Sequence, residues 1–149
     1  GCPPTATSNG PSEVAVPATR GPTAGVRMQF FAEHALPLAR QAAERAFCYS
    51  GIRPSDITHL VVVTCTGFAA PGIDVGLIQE LNLPATTQRI QVGFMGCHGA
   101  INGLRTAQAL GSSGRVVGVQ VHPGCATSSG KALRKVSRIP AVVMASVVG

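Results

Sequence analysis

With no tryptophan, one tyrosine and five phenylalanines, the chain offers no set of flat aromatic faces on which nucleic-acid bases stack, and no zinc-finger spacing links its cysteines. Nucleic acid is not expected as a partner. There is no run of some 18 apolar residues either, the length a helix needs to cross a bilayer, and the apolar stretch 139–149 is too short to do so. No membrane partner is expected. The opening residues do not join a basic start to an apolar run, so no signal peptide is expected, while Gly1 in place of an initiating Met suggests a processed or incomplete chain. The cysteines (Cys2, Cys48, Cys65, Cys97 and Cys125) are odd in number and lack short paired spacings. Neither a disulfide framework nor a metal site is expected, and a cytoplasmic location suits such thiols.

Acidic residues are missing from one half of the chain. Up to Glu80 there are five Arg and six acids, whereas from Leu81 onward there are seven Lys or Arg and no acid. An all-basic half suits nucleic acid, a membrane surface or an anionic cofactor. Four of the seven (Lys131, Arg134, Lys135 and Arg138) fall close together, and a solvated basic tail accounts for them without any ligand.

The residues that are present describe an α/β domain. At 45% hydrophobic and 12% charged, the chain is apolar enough to be a piece of a larger core, because parallel strands covered on both faces read as continuous hydrophobic runs. Residues 1–25 hold five of the eleven prolines and are expected to be a disordered leader. Helical periodicity begins near Arg27 with Met28, Phe31, Ala35 and Leu36. After Pro37, which should kink or restart the helix, it continues through Leu38, Ala39, Ala42, Ala43, Ala46 and Phe47 to a stop at Gly51. His34 lies at no ligand spacing and reads as a surface or core residue.

Residues 53–56 form a turn, and the β-branched run 59–66 reads as a buried strand. Asp74 is placed to cap a short helix over 75–81. Strands follow at 90–95 and 115–121. Strand, helix, strand, helix, strand implies parallel, right-handed βαβ units.

Between the last two strands lies the stretch Gln91-Val92-Gly93-Phe94-Met95-Gly96-Cys97-His98-Gly99-Ala100, an apolar run that breaks into a glycine-bracketed turn and then a helix. Ala100, Leu104 and Ala107 are expected on its buried face, with Gly111 as the stop. Cys97 thus falls at a helix N-terminus, where unpaired N–H groups carry roughly half a positive charge. That environment lowers a thiol from its ordinary value of about 8.5 and makes it a candidate acyl nucleophile. Cys65, at the carboxyl end of the first strand, is a rival thiol, ranked second because no helix N-terminus stands behind it. Ligands of open α/β sheets sit at that end, so Cys65, Thr66 and the loop holding Phe68 and Ala70 are expected to wall a substrate cavity. His98 reads as a local hydrogen-bonding residue and not as a base.

Together with Asp56-Ile57-Thr58-His59-Leu60-Val61-Val62-Val63-Thr64-Cys65-Thr66-Gly67-Phe68-Ala69-Ala70-Pro71-Gly72-Ile73-Asp74, the Cys97 stretch resembles the N-terminal half of a bacterial type III polyketide synthase. That is the chalcone and stilbene synthase family, within the thiolase-like condensing enzymes. The likeness runs from about Arg27 to about Val117. It implies half of a layered α-β-α-β-α fold, with a mostly parallel sheet and covering helices over 26–121. It also implies that the residue at Cys97 carries starter and growing polyketide as thioesters, drawn from acyl-CoA and malonyl-CoA, with no permanently bound cofactor and no metal. The family's catalytic His and Asn belong to a second half that this sequence does not contain, so little polyketide formation is expected from the chain alone. By the same resemblance the loop 68–72 touches the twin subunit of a homodimer, and Ala70 falls where plant members carry a bulky Met. A ketoacyl-carrier-protein synthase III or a hydroxymethylglutaryl-CoA synthase is the alternative enzyme. A non-catalytic fragment that binds CoA or pairs with an intact subunit is the alternative without chemistry.

The likeness fails over 122–149, read as a divergent basic and apolar tail. Val121-His122-Pro123-Gly124 is similar to a loop of the family whose His assists decarboxylation, but Cys125 replaces its second Gly, and His122 comes too soon after Cys97 to be that residue. A frameshift would account for the abrupt change.

Overall fold

A computed structural model of the chain describes residues 23–65, 67–96, 98–122 and 142–148. Most of the leader 1–25 and much of the tail 122–149 lie outside these. The first element is one helix, α1 (Ala24–Ser50), which runs without interruption through Pro37. Pro37 faces solvent, so the ring and its missing N–H are accommodated on the open side and the expected restart is not needed. Thr23 caps the start by accepting from the Val26 N–H, and Gly51 ends it in the left-handed region at φ 69°, donating to the Phe47 carbonyl. The face turned inward is a narrow stripe, Ala35, Ala39, Ala43 and Phe47, whose small side chains let the helix lie close to its neighbours. His34 is exposed, its ring edge-on to Phe30 at 4.4 Å.

After a 3-10 turn (Pro54–Asp56) come β1 (His59–Thr64), α2 (Ile73–Glu80), β2 (Gln88–Gly93), α3 (His98–Leu110), β3 (Val116–His122) and β4 (Val142–Val148). All four strands are parallel, in the order β2-β1-β3-β4. The alternation of strand and helix implied this α/β architecture, although β4, drawn from the divergent tail, was not foreseen. Strand β1 stops at Thr64, two residues short of its expected end.

β1 is central and buried along its whole length, and its side chains divide between two cores. Leu60 and Val62 join Val117, Val119 and Val121 against the α1 stripe and Leu77 of α2. Val61 and Val63 pack on the other side with Val116 and with Ala107 of α3. Each fully buried Val or Leu contributes about 1.5–3 kcal/mol, so the three-layer sandwich is held chiefly by this strand. By contrast β2, at the edge of the sheet, has no fully buried residue, and three of its six are exposed.

Three expectations are corrected by local packing. Asp74 lies inside α2 and makes no cap; its carboxylate instead takes the Arg89 guanidinium of β2 at 3.0 Å. Of the residues expected on the buried face of α3, Ala107 is buried, but Gly99 and Gly103 take the places of Ala100 and Leu104. Cys48, at the end of α1, is disulfide-bonded, which neither the number nor the spacing of the cysteines signalled.

Candidate active site

The parallel register sets Thr64 beside Gly93 on one flank and beside Val121 on the other. The chain therefore leaves β1, β2 and β3 at one edge of the sheet. Cys65 is the first residue past β1; it is half-buried, and its thiol is free. Phe94, Met95 and Gly96 follow β2 and turn the chain into α3. Cys97, between Gly96 and His98, lies outside the described residues, as does Thr66. The fold thus brings Cys65 and the described residues on either side of position 97 to the same edge of the sheet.

α3 is fixed there by glycine. A Cβ on Gly103 would overlap Cγ2 of Val63, and one on Gly99 would stand 3.2 Å from its Cγ1. With hydrogens in those places the helix backbone lies directly on β1, and its first turn comes to the carboxyl end of the strand. The turn before it is forced into the left-handed region twice, at Phe94 (φ 60°) and Gly96 (φ 57°). Glycine adopts that conformation freely, whereas a non-glycine residue does so at some cost. The Gly99 N–H closes the turn by donating to the Gly96 carbonyl at 3.1 Å. His98 is exposed at the helix start.

The loop over 67–72 is seated on α1. Gly67 lies against the Phe31 ring, where a Cβ would overlap it, and the Phe68 N–H donates to the Met28 sulfur at 3.3 Å. The Phe68 ring is 59% exposed, and Ala70 is exposed as well, so both stand on the open side of this edge. Two features had not been singled out as parts of the site. Thr64 is buried, yet its hydroxyl has no hydrogen-bond partner among the described residues; a hydroxyl directly after the aliphatic run 60–63 was its only signal. Asn102 of α3 donates to the Met95 sulfur at 3.1 Å, a link that no sequence pattern announces. Among the described residues no group of three or more His, Cys, Asp or Glu is placed to hold a metal ion. None of the described helices is long and apolar enough to cross a membrane.

The sequence model of the chalcone and stilbene synthases, N-terminal domain, matches residues 12–137. The chain belongs to the chalcone and stilbene synthase family. An alpha-pyrone synthesis polyketide synthase-like protein, Pks18 of Mycobacterium tuberculosis, is 47% identical to it over 81 residues, which is 54% of this chain and 21% of the relative. The crystal structure of PKS-I from the brown alga Ectocarpus siliculosus superposes with a TM-score of 0.57 at 43% identity, covering 60% of this chain and 24% of that one. CsyB, an acylalkylpyrone synthase of Aspergillus oryzae solved in complex with CoA-SH, superposes equally well, with a TM-score of 0.57 at 38% identity over 62% and 24% of the two chains. The family's fold is thus that of a type III polyketide synthase N-terminal domain, the thiolase-like half with its parallel sheet and covering helices. This chain spans about a fifth of the length of Pks18 and of CsyB.

Proposed function

We propose that this chain carries the nucleophile of a type III polyketide synthase and that Cys97 is the residue that takes the acyl group. The supporting observation is the seating of α3: glycine contact with Val63 brings the helix start to the carboxyl edge of the sheet, the same edge at which the chain leaves β1 through Cys65. N–H groups of a helix start favour thiolate over thiol. The thiolate attacks the carbonyl carbon of an acyl-CoA thioester, the tetrahedral intermediate collapses, and CoA leaves as its thiolate. In the complete reaction malonyl-CoA loses carbon dioxide, and the resulting enolate attacks the acyl-cysteine and releases the sulfur. The lengthened chain then returns to Cys97 for the next round. Donors that hold the enolate and the oxyanion contribute orders of magnitude to such steps, and by the family's pattern they come from outside the region matched here. CoA thioesters are the proposed substrates, a reading supported by the CoA complex of CsyB.

Cys65, Thr66, Phe68 and Ala70 are proposed as cavity wall, with the described members all on the loop that leaves β1. A homodimer is the proposed assembly. The edge position and exposure of β2 support it, because an unpaired edge is a template for another strand. The cytoplasm remains the proposed location, on the strength of the free thiol at Cys65. The disulfide at Cys48 weighs against it. The test is CoA release on mixing the chain with an acyl-CoA. A stoichiometric burst in the wild type that is lost in Cys97→Ala is expected; an equal burst from the variant overturns the assignment.

A further inference from the structure

We infer that Asn102 is a positioning residue for the thiol at 97, holding the 94–96 turn against α3 through the sulfur of Met95. This rests on the reading of Cys97 as the acyl-accepting nucleophile. Asparagine is a poor occupant of a helix interior, because its amide competes with the backbone for hydrogen bonds. Yet Asn102 stands in the second turn of α3, half-buried. Its amide is directed off the helix: Nδ2 donates to the Met95 Sδ at 3.1 Å.

Met95 is half exposed, and a side chain with three rotatable bonds at such a site ordinarily samples many rotamers. Here it lies along the first turn of α3, with its Cβ 3.8 Å from the position a Gly99 Cβ would take. The turn needs such a restraint. Phe94 holds a left-handed backbone while its ring is 88% exposed, so packing of that ring does not offset the strain, and strained residues persist only where their surroundings over-determine them. The Gly99 to Gly96 backbone bond and the Asn102 to Met95 bond are the two ties, one spanning position 97 in the chain and the other fixing the residue two places before it to α3. Loosening the second lets the 94–96 turn relax, so that the residue following it is no longer held to the helix start that favours an ionised thiol.

The test measures Cys97 alkylation by iodoacetamide, read by peptide mass spectrometry from pH 6 to 9, in the full 149-residue chain. Asn102→Ala and Met95→Leu are each expected to slow it about five-fold, the scale of one ordinary hydrogen bond, and to move the midpoint of the pH profile upward. The double variant is expected to be no slower than either single one, since both cut the same tie. Asn102→Gln, which keeps the donor, should recover most of the rate. Wild-type rates and midpoints in Asn102→Ala and Met95→Leu overturn the inference, as do additive losses in the double variant. If Asn102→Ala does not fold, Met95→Leu and Asn102→Gln decide the matter by the same criteria. The underlying reading fails separately: a wild-type Cys97 that alkylates no faster than Cys65 refutes the nucleophile, whereas a fast Cys97 indifferent to Asn102 refutes only its positioning.

Discussion

Gly103→Ala puts the seating of α3 to a quantitative test. The added methyl would overlap Cγ2 of Val63 and stand 3.7 Å from its Cβ, with the closer carbon more than about 1 Å inside the 3.5–4.0 Å at which two carbons rest. Val63 cannot swing away, because a β-branched side chain is stiff at χ1 and this one is 4% exposed in the central strand. The helix must therefore lift. An overlap this deep falls in the upper half of the range for overpacking, about 2–3 kcal/mol, and the better helix propensity of Ala over Gly returns about 1 kcal/mol. A net loss of about 1–2 kcal/mol corresponds to a fall in Tm of about 3–6 °C for a chain of this size.

Thermal unfolding followed by circular dichroism measures that loss, and Cys97 alkylation on the same samples reports the displaced helix start. Val63→Ala alone should cost about 2 kcal/mol by leaving a cavity. Combined with Gly103→Ala it should cost less than the sum by about 1 kcal/mol or more, because the new methyl fills the space. Gly99→Ala, with its wider gap of 3.2 Å, should be close to neutral. A Gly103→Ala chain that is as stable as the wild type, or more so, would show that helix propensity outweighs the clash and that α3 is not held by that contact.

Other perturbations follow from the same packing. Gly67→Ala places a methyl on the Phe31 ring and should lower stability by about 1–3 kcal/mol while loosening the 67–72 loop, seen as faster proteolysis there; an unchanged cleavage pattern contradicts this. Thr64→Val removes a buried hydroxyl with no partner among the described residues and should raise Tm by about 2–4 °C, the scale of 1 kcal/mol. A fall in Tm would reveal a partner for that hydroxyl. Asp74→Asn weakens the 3.0 Å bond to Arg89. Because the Arg89 side chain is nearly half exposed, the loss should stay near 1 kcal/mol and shrink in high salt; a loss independent of salt would mean the pair acts by packing.

The order of elements was legible because its signals are local. The β-branched run of β1, the glycine stop at Gly51 and the apolar run entering the Cys97 turn each announce themselves within a few residues. What was misread depends on distance or on absence. Burial of α3 through Gly99 and Gly103 escapes hydrophobic periodicity, since a glycine contributes no apolar side chain and is buried by the backbone it lets approach. Asp74 has the look of a helix cap, but its partner Arg89 comes fifteen residues later and on another element. The sulfur contacts of Met28 and Met95 join residues forty and seven apart, and methionine in an apolar stretch reads simply as core. At Pro37 the expected restart is what misled, because a proline on the open side of a long helix does not end it.

The central claim is that the sulfur of Cys97 accepts an acyl group. Intact-mass spectrometry after exposure to an acyl-CoA, followed by peptide mapping, tests it most directly. One acyl adduct on the peptide holding Cys97, with Cys65 unmodified and no adduct in Cys97→Ala, is the predicted result. An adduct on Cys65, or none on the wild-type chain, would contradict it.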